Sequence, residues 1–501
     1  MPAKNAASPP TAPYDLAVLG GGSAGYNAAR TATALGLKTA LIDGACELGG
    51  LCILNGCMPS KTLLHVADTL HQARHASRLG LRIPHPAADM LSIQSRKRRI
   101  IADFAAYRQE QLHSGDFTLI RHHAHFVDPH TLQLDNESEE QIRARHILIA
   151  TGSHVSTPSI PGLAQAQCWT SDDVLNLDSL PQSVIVLGGG IVACELAQLL
   201  ARLGSRVTLI QRSAQLLREH SPEAAAVIES ALRDEGVEII TGTQLHRVTR
   251  EPSRDTGKLG FTVEFEHGGA AQTRHALHCL NAFGRTPHTA ALNLAAADVK
   301  TAPTGHIRTN RWQQTSAPHI YAAGDCAGPH EIVHLAIQQA ELAVRHIHQN
   351  PSTAKTTKTK TAKTAESTAA TPLKPIDEKL HLSVVFTDPQ LATIGLGERA
   401  LKDAKTPYLS ASYPFADHGK AILLEATRGY VKLFAAPKTG RLLGAEIVGR
   451  DAGELIHCFS AALALRATVF DMLKAPWYHP TLAEIFTYPL EEIAEQINAA
   501  G

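Results

Sequence analysis

The sequence predicts an α/β fold: two Rossmann-like dinucleotide-binding units followed by a smaller α+β module. Three observations predict it. A short apolar strand, a glycine-rich turn, an alanine-rich helix and a second strand follow one another from Tyr14 to Asp43. The same succession recurs from Ser183 to Gln211. From Leu380 to about Gly449 the chain alternates as strands, and helical patterning then runs towards Gly501.

The first unit opens with the strand Tyr14-Asp-Leu-Ala-Val-Leu19 and turns at Gly20-Gly-Gly-Ser-Ala-Gly25. Gly20, Gly22 and Gly25 form G-x-G-x-x-G, which allows a tight turn, close approach to a pyrophosphate and close helix–strand packing. The helix N-terminus then faces the phosphates. Asp43 ends the second strand, placed to hydrogen-bond a ribose, so this unit suits FAD.

Directly after it comes Gly49-Gly-Leu-Cys-Ile-Leu-Asn-Gly-Cys-Met-Pro-Ser-Lys61. The short loop between Cys52 and Cys57 can bring two Cα atoms within the roughly 4.4–6.8 Å that a disulfide needs. Pro59 fits a first helical turn, which puts Cys57 at a helix N-terminus, where partial positive charge favours a thiolate. Lys61 adds a cation one turn on. Zinc would call for further Cys-x2-Cys pairs, and an iron–sulfur run for a cysteine where Ser60 stands. A redox-active dithiol beside a nucleotide site is the expected reading.

The second unit runs from Ser183-Val-Ile-Val-Leu187 through Gly188-Gly-Gly-Ile-Val-Ala193 to Arg206-Val-Thr-Leu-Ile210, with Gly188 and Gly190 in the turn. The offset that gives Asp43 in the first unit gives Gln211 here, followed by Arg212 and, further on, Arg218. An acid there would repel a 2′-phosphate, whereas arginine can pair with one. This site is therefore expected to take NADPH in preference to NADH.

Residues 350–375, rich in Thr, Ala and Lys, cannot bury enough apolar surface to offset their ordering entropy and read as a linker. Composition narrows the rest. Formal net charge is +0, which argues against nucleic-acid or anionic-membrane partners. Eight cysteines in 501 residues are too few for a secreted disulfide scaffold. No stretch is long and apolar enough to cross a bilayer, and residues 1–13 lack a signal-peptide core, so a cytoplasmic protein is expected. The histidines at 122, 123, 125 and 130 suit an exposed strand, and no metal is expected on them.

With these residues in view, the chain resembles the FAD-dependent pyridine nucleotide–disulfide oxidoreductases, nearest their dihydrolipoyl dehydrogenase and mercuric reductase branch. Three further segments carry the likeness: Ala150-Thr-Gly152, Gly284-Arg-Thr-Pro287 and Tyr321-Ala-Ala-Gly-Asp325. The resemblance implies flavin contacts by Gly50, Lys61, Thr151, Gly152 and Asp325, the last on the ribityl chain, and a cofactor-side role for Arg285. It pairs Lys61 with Glu195. It also implies that His479 is the proton-carrying base, with Glu484 orienting it, in Tyr478-His-Pro-Thr-Leu-Ala-Glu484. Trp477 departs from the histidine often found two places before that base.

The implied organisation is a tail over 1–13, a FAD-binding domain over 14–158 and an NAD(P)H-binding domain over 159–284. A second FAD-binding or central part follows over 285–349, then a linker over 350–377 and a dimerisation domain over 378–501. The implied assembly is a homodimer in which each active site borrows the other chain's histidine. The expected reaction carries hydride from NADPH or NADH through FAD to the Cys52–Cys57 disulfide, and on to a small disulfide substrate. Cys57 faces the flavin and Cys52 meets the substrate; direction stays open. Two alternatives stand beside it. One is Hg(II) reduction, against which the cysteine-free tail Glu492–Gly501 counts. The other is a flavin-containing redox sensor without turnover.

Overall fold

The computed structural model describes residues 13–252, 257, 259–350 and 372–500. Apart from Pro13, Asn350 and 372–377, the expected tail and linker lie outside the described residues. The chain forms two compact units. One takes Arg98–His154, Arg285–Ile376 and the start of the chain to Met58; the other takes Pro59–Lys97, Val155–Gly284 and Asp377–Gly501.

The first unit is built on a seven-stranded sheet in the order Thr118–Ile120, Thr39–Ile42, Tyr14–Leu19, Gln141–Ile149, Thr131–Leu134, Ala124–Asp128. The strand Ile320–Ala322 also pairs with Gln141–Ile149, in parallel. Tyr14–Leu19 lies centrally, parallel to both of its neighbours. Its side chains alternate between two cores, as a strand covered on both faces requires. Leu16 and Val18 pack with Ala28, Ala29 and Ala32 of the helix Ser23–Ala34 and with Ala340, Ala343 and Val344 of the helix Val333–Gln349. Ala17 and Leu19 face the other way, onto Phe126, Leu132, Ile147 and Ile149. The run of alanines lets the two helices lie close to the strand that ends in the glycine turn.

The second unit holds a four-stranded parallel sheet ordered Glu238–Ile240, Arg206–Ile210, Ser183–Leu187, His278–Asn281. A three-stranded antiparallel sheet over Thr243–Pro252, Leu259–His267 and Ala270–Ala276 follows its third strand in sequence, an insertion not foreseen from the pattern. A five-stranded antiparallel sheet runs Leu382–Val385, Gln390–Gly395, Leu442–Gly449, Tyr430–Ala435, Leu409–Pro414. Phe459, Phe486, Leu490 and Ile493, on the helical segments after Gly449, close its core. The fold class is the one the sequence predicts.

A buried cation ties parts of this unit together. Arg202, on the helix Ile191–Leu203, donates from Nε and Nη2 to the two oxygens of Glu235 at 2.8 and 2.7 Å. It also reaches Asp68 at 2.6 Å and Asp388 at 2.8 Å. The helix Cys57–His75, which carries Asp68, is thereby pinned to the nucleotide-type sheet and to the loop before the strand Gln390–Gly395.

Candidate active site

In the first unit the strand Tyr14–Leu19 delivers the chain into a turn that only glycine allows. Gly20 has φ +102°, and a Cβ there would lie 2.4 Å from the carbonyl oxygen of Ala150. Gly25 is tighter still, since a Cβ would stand 1.7 Å from the Gly20 carbonyl oxygen. Gly22 caps the helix Ser23–Ala34. Asp43 Oδ2 accepts from the Gly21 N–H at 3.0 Å, and Oδ1 from the Ala45 N–H at 2.9 Å. The carboxylate thus holds the turn closed. Gly50, with φ +76°, presses on the same turn: its Cβ would meet the Gly22 Cα at 2.6 Å.

Across this unit Asp325 accepts from the Ser153 hydroxyl at 2.6 Å. Arg285 fixes that serine, donating from Nε to Ser153 Oγ and from Nη2 to its carbonyl, both at 2.7 Å. Arg285 therefore orients Asp325 through Ser153, a residue that sequence reasoning missed. Thr151 Oγ1 is buried and has no hydrogen-bond partner among the described residues. Gly152 follows it with φ +71°.

The two thiols come next. Cys52 sits in the short helix Leu51–Leu54, and Cys57 opens the helix Cys57–His75 after the turn at Asn55-Gly56. Both are free cysteines joined by a hydrogen bond. That bond, then burial, pushes the Cys52 thiol well above the ordinary range, while Arg108 draws it back down.

In the second unit the helix Cys57–His75 carries Lys61, whose Nζ lies 2.8 Å from Glu195 Oε2. Glu195 is buried on the nucleotide-turn helix, and its other oxygen accepts from the Phe386 N–H at 2.9 Å. The Phe386 ring also lies 4.6 Å from the Lys61 ammonium. Carboxylate and ring fix the lysine from two sides.

The second nucleotide turn repeats the first with different chemistry. Gly188 has φ +115°, and a Cβ would stand 2.4 Å from the Ala282 carbonyl oxygen; Gly190 faces open space. Gln211 packs under Gly189 and accepts from the Arg212 N–H at 3.0 Å. Arg212 is exposed and makes no ion pair with a described residue. Arg218 differs: it pairs with Glu219 at 2.8 Å, and Glu219 also takes Arg399 at 3.0 Å.

The expected base lies near the C-terminal end of this unit. His479 Nδ1 is 2.9 Å from Glu484 Oε2, and its side chain is 79 % exposed. A second imidazole, missed from sequence, approaches the same carboxylate: His418 Nε2 lies 3.5 Å from Glu484 Oε1. Burial holds His418 below the usual histidine range, so it stays neutral. Trp477 turns inward, donating to the Met472 carbonyl at 3.2 Å. The histidines at 125 and 130 have structural partners, Asp135 at 2.9 Å and the His319 ring at 4.0 Å. Among the described residues no group of three or more His, Cys, Asp or Glu gathers to hold a metal, and no helix is long and apolar enough to cross a membrane.

Comparison with known proteins decides the family. Residues 14–345 match the description "Pyridine nucleotide-disulphide oxidoreductase", and residues 382–489 match its dimerisation domain. The chain belongs to the pyridine nucleotide–disulphide oxidoreductases. Within this family it is 32 % identical over 475 residues to a mercuric reductase of Staphylococcus aureus, covering 94 % of this chain and 81 % of that one. It is equally identical, 32 % over 475 residues, to a dihydrolipoyl dehydrogenase of Bacillus subtilis, covering 94 % and 96 %. Among solved structures, LpdA of Mycobacterium tuberculosis superposes with TM-score 0.81 at 25 % identity, covering 95 % of this chain and 99 % of that one. The flavoprotein disulfide reductase RclA of Escherichia coli shares the fold, with TM-score 0.80 at 24 % identity over 96 % and 100 % of the two chains.

This oxidoreductase is an FAD-dependent enzyme that uses NAD(P)H, and its dimerisation domain supports a homodimer. The residues present fit the flavin. The glycine cradle leaves no room for side chains where a pyrophosphate would approach, and Thr151 presents a buried hydroxyl with nothing to bind.

Proposed function

We propose that this enzyme is an NADPH-preferring reductase of a small disulfide, resembling dihydrolipoyl dehydrogenase in its exchange chemistry. The observation that carries the reading is the hydrogen-bonded Cys52–Cys57 dithiol at the head of a helix, in a chain that also holds the His479–Glu484 pair. Bound FAD supplies the two-electron relay between the nicotinamide and the cysteine pair.

This chain's own residues account for the thiol half of the cycle. The Cys52 sulfur, as thiolate, attacks a substrate disulfide RSSR; a Cys52–SR bond forms, the S–S bond breaks and RS⁻ leaves. His479, charged by the proton that Cys52 gave up, returns it to the leaving thiolate. The Cys57 thiolate then attacks the Cys52 sulfur, and the second RS⁻ leaves, taking a proton from solvent, as the Cys52–Cys57 disulfide closes. Two electrons have passed to the substrate, and NADPH restores the dithiol, so the sum is RSSR + NADPH + H⁺ → 2 RSH + NADP⁺. The exposure of His479 suits a base that serves the thiols of the other protomer. Glu195 and the Phe386 ring hold Lys61 in place on the helix that Cys57 opens, and Gly50, Thr151 and Asp325 line the cradle that receives the cofactor. Arg212, with no carboxylate on it, is the arginine free to take a 2′-phosphate. Eight cysteines in 501 residues suit a reducing compartment such as the cytoplasm.

The test is a panel of lipoamide, lipoate, cystine, glutathione disulfide and Hg²⁺ with NADPH and NADH. At least one disulfide should be turned over, and Cys52→Ser should abolish that turnover while NADPH still bleaches the flavin absorbance. Turnover of Hg²⁺ alone, or full disulfide turnover by Cys52→Ser, would overturn the reading.

A further inference from the structure

Arg108 occupies an unusual position for a cation. It lies near the end of the helix Met90–Leu112, with its guanidinium 4.1 Å above the Tyr26 ring of the helix Ser23–Ala34. Its Nε and Nη1 are buried and find no acceptor among the described residues. Burial lowers its pKa, and the groups that act on it electrostatically are Tyr26, Cys52, Arg30 and Tyr107. None of these is a carboxylate. Arg30 repels it, and the nearby Glu341 is 3.9 Å from Arg30 instead. Buried donors without acceptors are costly, and an anion arriving from outside would satisfy them.

The surroundings say which anion. The Tyr26 ring under Arg108 stands one helical turn from Gly22, and Gly50, two residues before Cys52, packs against that same Gly22; Cys52 is within electrostatic reach of Arg108. A guanidinium presents a planar fork that matches a carboxylate. We propose that Arg108 reads the charge of the substrate: its guanidinium, with two buried nitrogens that lack acceptors, is the counter-charge for a carboxylate on the disulfide that exchanges with Cys52. The proposal rests on the reading of Cys52 as the exchanging thiol. It makes acidic disulfides the preferred substrate class and sets Arg108 as a specificity-determining residue.

Two measurements on the holoenzyme test it. Lipoate and lipoamide differ in one carboxylate against one neutral amide. The lipoate-to-lipoamide ratio of kcat/KM should fall about 10- to 100-fold in Arg108→Gln, and Arg108→Lys should keep part of it. The second measurement needs no turnover. On enzyme reduced with dithiothreitol, the rates at which iodoacetate and iodoacetamide alkylate Cys52 are followed by peptide mass. Their ratio should drop about tenfold in Arg108→Gln and recover in part in Arg108→Lys. An unchanged alkylation ratio sinks the proposal. So does loss of flavin from Arg108→Gln, which would assign the cation to the cofactor. If no disulfide of the panel is turned over while the alkylation ratio follows Arg108, the proposed function fails and the charge reading stands. Turnover of both disulfides with an indifferent ratio keeps the proposed function and removes the charge reading.

Discussion

Glu484 serves two histidines whose duties differ. His479 is exposed and hydrogen-bonded to it at 2.9 Å, whereas His418 is buried, neutral and 3.5 Å away. The neutral ring contributes no charge, so the carboxylate is left to His479, whose tautomer it fixes. Glu484→Gln keeps the shape and loses the charge. Disulfide exchange should slow about 100-fold, with a smaller effect on flavin reduction by NADPH, as stopped-flow traces of the two half-reactions will report. Equal slowing of both would assign Glu484 a structural role. Arg212 and Arg218 make a second contrast. Both are exposed arginines near Gln211, but Glu219 already occupies Arg218. Arg212→Ala should raise the KM for NADPH about tenfold relative to that for NADH, and Arg218→Ala by less. Equal shifts for the two nucleotides would remove the 2′-phosphate argument.

At the scale of elements, the meeting of the 49–50 segment with the glycine turn governs the flavin cradle. Gly50 combines a left-handed backbone, φ +76°, with a prospective Cβ 2.6 Å from the Gly22 Cα. Gly36 supplies the control, since its φ is +79° and its Cβ would meet nothing within 4 Å. Gly36→Ala should cost about 1 kcal/mol of backbone strain and keep the flavin. Gly50→Ala adds the collision to the strain and should lose at least about half of the bound flavin, read as the ratio of flavin to protein absorbance. Full retention in Gly50→Ala would show that the two segments can part without consequence. The same contrast explains what the sequence made legible. Gly20, Gly22 and Gly25 lie within one turn and Cys52 and Cys57 within one loop, so spacing alone points to them, whereas the roles of His479 and Glu484, also close in sequence, are implied by the family resemblance. Ser153 beneath Asp325, His418 against Glu484, Phe386 on Glu195 and Arg108 over Tyr26 are brought together by the fold across long separations. No local period announces such contacts. The antiparallel insertion over 243–276 was hidden for a related reason: two of its strands show no clean alternation of buried and exposed residues, so no period marks them out from the nucleotide pattern around them.

At the scale of the whole molecule, the 27 histidines make folding sensitive to mild acid. Eight of them, His71, His146, His220, His278, His288, His319, His346 and His418, are held below the usual histidine pKa, with burial the largest cause in each. In the unfolded chain each takes a proton near ~6.5, while the folded state resists until lower pH. Between those limits the unfolded state binds more protons, so stability rises with pH and is lost as pH falls through this window. Three acids act in the opposite sense. Burial lifts Asp68 to about 6 and raises Glu331 and Glu446, so the folded state takes up protons there as pH drops. Carboxylates protonate chiefly below the histidine range, which leaves the histidines dominant between about pH 7.5 and pH 6. Thermal unfolding followed across that interval should show Tm falling as acid is added. His146→Gln and His418→Gln combined should flatten the slope, because both rings are buried, at 7 % and 1 % exposure, and glutamine does not titrate. A Tm that is constant or climbs from pH 7.5 to pH 6 would mean that proton uptake on the folded side, led by Asp68, outweighs the eight imidazoles, and the histidine account would fall.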